Sequence, residues 1–245
     1  MNFEMSIKPY STQEGSKKEQ VTEMFNTIAP KYDFLNRWLS FNIDKIWRKN
    51  VVKNIAGVKY PDVLDVATGT GDLALAIAKR VKVNMIYGVD ISEEMLKIAD
   101  EKIAKKGLHQ KIFLKSGDSE NLEFANNEFD FVTVAFGVRN FENLEKGLAE
   151  MTRVLRPGGK LIVLEFTNPT IFPFNHIYKF YFLKILPWFG GLFSKDKAAY
   201  KYLPNSVVKF PEGKEFQDKL VEAGLKPIKM SKQSFGIATI YVAEK

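Results

Sequence analysis

Hydrophobic positions along this chain alternate between two periodicities. From Val63 to Phe166, short apolar runs are separated by segments with apolar residues three or four positions apart. The runs are typical of buried strands and the wider spacing of amphipathic helices. The predicted order is strand Val63–Ala67, helix Leu73–Arg80, strand Met85–Asp90, helix Glu93–Lys106, strands Ile112–Lys115 and Phe129–Val134, helix Leu144–Leu155 and strand Leu161–Phe166. This alternation predicts an α/β fold with a doubly wound, mostly parallel sheet.

Helical spacing also precedes the first predicted strand. Apolar residues recur at helical intervals from Val21 to Ile55, and Pro30 interrupts them. Because proline lacks the N–H that continues a helix, we expect two or three helices in this region. Residues 1–20 are polar and rich in lysine, which favours a flexible arm over a place in the core.

The carboxyl-terminal part departs from this alternation. A helix is predicted at Glu212–Ala223, and strand patterns follow at Leu225–Met230 and Ile237–Ala243. The last two strands are expected to form a hairpin at the reversed edge of a seven-stranded sheet. The prediction is one domain over residues 21–245, divided into a helical lid region (21–58), a ligand-binding core (62–168), an aromatic segment (171–206) and a C-terminal helix with a strand pair (212–245).

Composition excludes several kinds of chemistry. The chain has no cysteine and only two histidines, so we expect no disulfide, no thiol nucleophile and no metal site. No stretch reaches the roughly 18 apolar residues of a membrane span, and a signal-peptide pattern is lacking, so a cytoplasmic protein is expected. The net charge of +7 is compatible with nucleic acid, an anionic membrane or neither.

A glycine-containing loop follows the first predicted strand. Gly69 and Gly71 let backbone N–H groups approach a ligand closely, because glycine has no Cβ. The spacing through Ala74 also fits the dinucleotide fingerprint, and a structural turn explains a lone loop equally well. Asp90 ends the second predicted strand, 19 positions after Gly71, where a carboxylate can accept hydrogen bonds from both ribose hydroxyls. Loop and acid together favour a nucleotide-like ligand, with helix capping as the alternative role of Asp90.

Four segments resemble motifs of the class I S-adenosylmethionine-dependent methyltransferases. Asp62–Asp72 resembles their motif I, and Gly117–Leu122 with Asn127–Asp130 resembles later motifs. Met151–Leu161 resembles the helix, turn and fifth strand that close the nucleotide-binding half. The resemblance implies a Rossmann-like class I methyltransferase fold that takes S-adenosylmethionine as its cofactor.

A narrower resemblance extends from about Glu19 to the end of the chain. Over this length the chain is similar to the quinone-biosynthesis C-methyltransferases, the demethylmenaquinone and 2-polyprenyl-6-methoxy-benzoquinol methylase family. The similar segments are Tyr32–Asn36 with Ser40 and Trp47, Phe136–Asn140, Arg153–Glu165 and Tyr200–Ser206. Two positions depart from the family: Asp44 stands where histidine is usual, and Thr167 where serine is usual. The similarity implies C-methylation of a polyprenylated quinol, giving menaquinone or a ubiquinone precursor.

Candidate cofactor residues follow from the loop and the resemblance together. The family's cofactor positions correspond to Thr70, Asp90, Asp118 and Ser119, with Ala135 where many members carry serine. An ordinary turn explains the Asp118 segment almost as well. The complete candidate set is Asp65, Gly69, Thr70, Gly71, Asp90, Ile91, Asp118, Ser119 and Ala135.

Candidate catalytic residues are Arg139, Tyr32 and Asp33. Carbon methylation requires a methyl group held in line with the ring carbon that it joins. It also requires a ring made electron-rich by full or partial loss of a phenolic proton. Arg139 follows the fourth predicted strand and is expected to orient a phenolate electrostatically, since a guanidinium is a poor base. Tyr32 and Asp33 begin a segment expected to fold over the cofactor. Without the resemblance, a surface salt bridge and a packed aromatic explain Arg139 and Tyr32; the proton acceptor stays open among carboxylates, tyrosines, His176 and water.

The segment from Ile171 to Tyr202 combines aromatic side chains, among them Trp188 and Phe189, with lysines such as Lys195. This combination is typical of membrane-interfacial segments and would suit the entry of a prenyl tail, although packing on the sheet explains the aromatics equally well. The expected partners are therefore a polyprenylated quinol and, peripherally, the inner face of the cell membrane. Dispersed lysines argue against nucleic acid, and a homodimer stays open.

Two other enzyme functions compete with quinol methylation. A methyltransferase for another small lipid would use the same motifs. An NAD-binding oxidoreductase would use the same glycine loop, but Asp65, the Asp118 region and Phe136–Asn140 argue against it.

Overall fold

The computed structural model describes residues 7–10, 14–40, 42–180 and 197–245, and the expectations for Trp188, Phe189 and Lys195 lie outside them. The described residues form a seven-stranded sheet in the order β3-β2-β1-β4-β5-β7-β6. The strands are β1 Asp62–Val66, β2 Met85–Asp90, β3 Ile112–Ser116, β4 Phe129–Ala135, β5 Leu155–Phe166, β6 Lys226–Gln233 and β7 Ala238–Glu244. The predicted α/β fold is confirmed, because β1 to β5 are all parallel.

The reversed strand is not at the edge of the sheet. β7 runs antiparallel to both β5 and β6, so it lies inside and β6 is the outermost strand. The predicted hairpin is therefore confirmed, but only its second strand is reversed. The order follows from connection length, since four residues (234–237) join β6 to β7 and force them to pair directly.

Helices cover both faces of the sheet. They are α1 Lys17–Leu39, α2 Ile43–Val52, α3 Asp72–Arg80, α4 Glu93–Ala104, α5 Leu144–Val154, α6 Phe174–Phe180, α7 Lys197–Lys209 and α8 Lys214–Glu222. On one face Leu148 of α5 and Phe216 of α8 pack on Leu64. On the other, Trp47 of α2 and Ile77 of α3 belong to the second core cluster. Both clusters are fully buried, so the two faces hold the sheet rigid beneath its loops.

The helix α4 begins at Glu93, as its sequence predicts, and ends at Ala104, two residues before the predicted end at Lys106. Ser92 accepts a hydrogen bond from the backbone N–H of Met95 at 3.3 Å, which satisfies one of the free donors of the first turn. Gly107 has a φ of 64°, the left-handed conformation that follows many helix ends. The Ser92 cap thus fixes the start of the helix at Glu93, three residues after Asp90.

Two expectations for the N-terminal region are wrong. Lys17 begins α1, inside the stretch assigned to a flexible arm, because its ammonium donates to the carbonyl oxygens of Arg139 at 3.1 Å and Phe141 at 2.6 Å. Burial lowers the pKa of Lys17 to about 8.

Pro30 does not interrupt α1, since buried residues such as Met24 and Ala29 anchor the helix on its N-terminal side. Instead, α1 ends at Leu39 and α2 begins at Ile43.

A third cluster joins α1 to α6 and α7. Tyr178 and Tyr202 are buried against Val21 and Met24 of α1. The aromatic segment thus packs in part on the core. No helix of the described part of the chain is long and apolar enough to cross a membrane.

Candidate active site

A cavity of about 710 Å³, counted out to its open mouth, lies at the carboxyl ends of β1, β2, β3 and β4. Loops that follow these strands form its floor, and α1 contributes Lys18, Val21, Phe25 and Tyr32 to its cover. Parallel sheets bind ligands at this edge because the strand ends bring several loops together.

Asp90 joins the end of β2 to the glycine loop. One carboxylate oxygen accepts the backbone N–H of Gly69 at 2.7 Å, and the other accepts that of Ser92 at 2.9 Å. Burial raises the pKa of Asp90, while these hydrogen bonds favour the ionised form. Each carboxylate oxygen keeps a second lone pair that can accept a bond from a ligand hydroxyl.

Asp65 lies below the glycine loop and does not line the cavity. Its carboxylate accepts the hydroxyl of Thr68 at 2.6 Å and that of Thr133 on β4 at 2.7 Å. The side chain is 1% exposed, and this burial raises its pKa to about 6. Asp65 therefore ties β1, its loop and β4 together from inside the core.

The loops after β1 and β4 approach each other closely at Gly137. A Cβ added to Gly137 would lie 2.6 Å from the Cβ of Ala67, so no other residue fits there without a shift. Ala67 and Phe136 have φ angles of 50° and 61°, which non-glycine residues seldom adopt. Such conformations persist where surrounding contacts hold them, often beside a binding site.

Polar contacts hold α1 over one end of the cavity. The Lys18 ammonium lies 2.7 Å from a carboxylate oxygen of Asp118, on the loop after β3. Nearby, Ser92 donates its hydroxyl to the side-chain oxygen of Asn26 at 2.7 Å. α1 thus contacts the loops that follow both β2 and β3.

A second set of contacts holds the middle of α1. Asp33 accepts the hydroxyl of Thr70 at 2.6 Å and forms a 2.8 Å ion pair with Lys102 of α4, which also pairs with Asp72. The hydrogen bond between Asp33 and Thr70 therefore connects α1 to the glycine loop. Neither residue lines the cavity. Lys102 was not a candidate, because its role depends on contacts between residues far apart in sequence.

Arg139 is buried and paired, not exposed to the cavity. Its Nη1 lies 2.7 Å from Glu165 Oε1 and also donates to the carbonyl oxygen of Phe136. Glu165 is fully buried at the end of β5, which raises its pKa, while Arg139 opposes that rise. Glu165 therefore compensates the charge of Arg139 inside the protein.

Another buried ion pair lies at the start of α2. Asp44 accepts the hydroxyl of Ser40 at 2.9 Å and pairs with Arg48, whose guanidinium carbon lies 5.8 Å from the centre of the Phe136 ring. Asp44, where the family usually has histidine, therefore forms an ion pair with Arg48. The other departure, Thr167, donates to the carbonyl oxygen of Gly236 at 2.8 Å, so it joins β5 to the hairpin.

The cavity brings together most of the candidate residues. Its lining includes Tyr32, Gly69, Asp90, Ile91, Asp118, Ser119 and Ala135. Asp33, Asp65, Thr70, Gly71 and Arg139 lie directly behind that lining. The sequence analysis missed Lys18, Glu165 and Arg48. Glu165 alone carried a signal, as a carboxylate at the end of a predicted strand otherwise made of apolar residues.

Comparison with known proteins gives the same picture over nearly the whole chain. The model of the ubiE/COQ5 methyltransferase family matches residues 13–245. Demethylmenaquinone methyltransferase of Bacteroides fragilis is 43% identical over 246 residues, which cover 100% of both chains. The ubiquinone/menaquinone biosynthesis C-methyltransferase UbiE of Geotalea daltonii is 47% identical over 230 residues, covering 94% of this chain and 97% of that protein.

Solved structures share the fold at low sequence identity. The [4+2]-cyclase SpnF has a TM-score of 0.71 at 16% identity, covering 95% of this chain and 97% of that chain. A putative S-adenosyl-L-methionine-dependent methyltransferase of Methanococcus maripaludis has a TM-score of 0.65 at 20% identity, covering 96% and 97%. At these identities the likeness shows the fold alone, and one neighbour carries out a cyclisation.

The buried Asp65 carboxyl predicts a pH-dependent stability difference. Its pKa is raised from 3.8 to about 6, so between these values the folded state binds more protons than the unfolded state, and the free energy of unfolding falls as pH rises. Asp65→Asn removes this dependence. We expect the stability of the variant relative to the parent protein to increase by about 2 kcal/mol from pH 4 to pH 7. Urea denaturation across this range measures it.

The exposed Asp100, replaced by asparagine, is the matched control and should show no such trend. A constant difference between Asp65→Asn and the parent protein at all pH values would contradict the prediction.

Proposed function

The chain belongs to the ubiE/COQ5 methyltransferase family, and on that premise we propose that it transfers the methyl group of S-adenosylmethionine to a ring carbon of a polyprenylated quinol. The observation that carries the proposal is the family match over residues 13–245, which spans both the cavity loops and the helices that cover them. The products are menaquinol or a ubiquinone precursor, in line with the names of the relatives.

The proposed cofactor end of the cavity is the part around Asp90 and Asp118. Asp90 accepts hydrogen bonds from the ribose hydroxyls with the lone pairs that Gly69 and Ser92 leave free. Asp118 and Ser119 face the adenine, and Lys18 must yield part of its ion pair with Asp118 when the base enters. Bound S-adenosylmethionine supplies an activated methyl group on a sulfonium.

The proposed reaction needs orientation more than acid or metal chemistry. The ring carbon forms a bond to the methyl carbon as the carbon–sulfur bond breaks and S-adenosylhomocysteine leaves, and the proton on that ring carbon then passes to a water molecule, which restores aromaticity. Arg139, held by Glu165 and the Phe136 carbonyl, donates to the quinol oxygen and does not accept its proton. Tyr32 lines the cavity from α1 and closes it against water.

Cofactor binding separates this function from that of an NAD-dependent oxidoreductase. We expect titration calorimetry to show binding of S-adenosylhomocysteine and none of NAD. Asp90→Ala should weaken that binding by about 1–3 kcal/mol, since two charge-assisted hydrogen bonds to the ribose are lost.

Asp100→Ala removes an exposed carboxylate of α4 and should bind S-adenosylhomocysteine as the parent protein does. NAD binding without a response to S-adenosylhomocysteine would reverse the assignment.

A substrate with a prenyl tail lies in a membrane, so the enzyme is expected to contact that membrane. The proposed contact surface is an exposed aromatic patch. The patch comprises Ile171, Phe172, Phe174 and Phe235, and the rings of Phe174 and Phe235 stack at 4.2 Å. Phe172 is 77% exposed and Phe235 59%, with the exposed Lys232 beside them. Grouped exposed rings of this kind mark an interaction surface, and the proposed one is the inner face of the cell membrane.

Replacing two rings of this patch tests the membrane contact. Phe172→Ser with Phe235→Ser should reduce cosedimentation with phosphatidylglycerol vesicles at both low and high salt, because ring burial is not screened by ions. Phe113→Ser, a 47% exposed ring on β3 at the opposite edge of the sheet, is the control. Equal vesicle binding by all three proteins would reject the contact.

A further inference from the structure

Three buried polar atoms that have no hydrogen-bond partner among the described residues lie on neighbouring elements of the fold. They are Arg139 Nε, Asn140 Oδ1 and the hydroxyl of Tyr202. Arg139 and Asn140 belong to the 3-10 turn after β4, and α7, which carries Tyr202, contacts this turn. Buried polar groups are nearly always paired, so three unpaired ones near a cavity indicate a polar ligand.

The three side chains converge from two directions. The Arg139 guanidinium and the Asn140 amide both donate to the carbonyl oxygen of Phe136, which lines the cavity. The guanidinium lies 5.4 Å from the centre of the Phe166 ring, and Phe166 also packs against the cluster that contains Tyr202. Tyr202, 4% exposed, therefore reaches the neighbourhood of Arg139 from α7.

The unpaired atoms match the chemistry of a quinol. Arg139 Nε and the Tyr202 hydroxyl can donate hydrogen bonds, and Asn140 Oδ1 can accept one. A quinol hydroxyl both donates and accepts, and it becomes a stronger acceptor as its proton departs. Burial raises the pKa of Tyr202 to about 12, so its phenol stays protonated at neutral pH and is a donor, not a base.

We propose that Tyr202 is a further substrate-binding residue, whose hydroxyl donates a hydrogen bond to a quinol oxygen beside Arg139 and Asn140. The inference rests on the proposed quinol substrate. It places the polar head of that substrate between the turn after β4 and the helix that follows the aromatic segment. One quinol oxygen then bridges α7 and the turn, which already contact each other.

Tyr202→Phe keeps the ring and removes only the hydroxyl. The experiment measures binding of a short-chain naphthoquinol, and of the two analogues that each lack one hydroxyl, to protein loaded with S-adenosylhomocysteine. We expect the variant to bind the quinol about tenfold more weakly. The loss should vanish for the analogue that lacks the oxygen facing Tyr202, and affinity for S-adenosylhomocysteine should not change.

Thermal stability distinguishes binding from packing. Because the hydroxyl has no partner among the described residues, Tyr202→Phe should leave the melting temperature equal or higher. Tyr241→Phe is the matched control: the Tyr241 hydroxyl accepts the backbone N–H of Gly213 at 2.8 Å, so its removal should lower the melting temperature without altering selectivity among the three ligands.

The outcomes separate this inference from the function on which it rests. If the parent protein binds the quinol and Tyr202→Phe binds it equally well, Tyr202 is not a substrate-binding residue. A loss that is the same for all three ligands, with a lower melting temperature, assigns Tyr202 to the core. If the parent protein binds S-adenosylhomocysteine but no quinol, the proposed substrate is wrong as well.

Discussion

Two buried carboxylates hold the carboxyl ends of three neighbouring strands in one arrangement. Asp65 accepts the hydroxyls of Thr68 and Thr133, and Asp90 accepts the N–H of Gly69. Removing these carboxylates from water costs free energy, which the hydrogen bonds offset only in part. The positions of the glycine loop, of the turn after β4 and of the cavity between them depend on these bonds.

The cavity has two ends that differ in how their polar groups are satisfied. At the proposed cofactor end, Asp90, Asp118 and Thr70 already have partners in the protein, so the loops are preorganised before a ligand arrives. At the end near Arg139, paired charges coexist with unpaired donors and acceptors. Ligand binding there completes a hydrogen-bond network, whereas at the first end it adds hydrogen bonds to Asp90 and replaces part of the ion pair between Lys18 and Asp118.

Local patterns predicted the strands and the start of α4, because Ser92 and its neighbours form a helix start that needs no distant contact. They also predicted that Gly69 and Asp90 meet, since parallel strands end at one edge. Local patterns failed at Lys17 and Pro30, where tertiary packing overrides composition and propensity.

The pairing of Arg139 could not be predicted in the same way. Arg139 and Glu165 lie 26 residues apart and meet only because β4 and β5 are neighbours. From the sequence, Arg139 was expected to orient a phenolate electrostatically, with a salt bridge as the alternative, and in the structure its guanidinium pairs with the buried Glu165. The contact of Tyr202 with this region likewise depends on how α7 returns to the sheet.

The proposed reaction of this site is the transfer of a methyl group from S-adenosylmethionine to a quinol carbon. The most direct test supplies purified protein with S-adenosylmethionine carrying a ¹³C-labelled methyl group and a demethylated naphthoquinol, and follows the label by NMR. We expect an NMR signal from a methyl group bound to a ring carbon. Excess S-adenosylhomocysteine should suppress this signal. A methyl signal on oxygen, or no transfer to the quinol by protein that binds the cofactor, would contradict it.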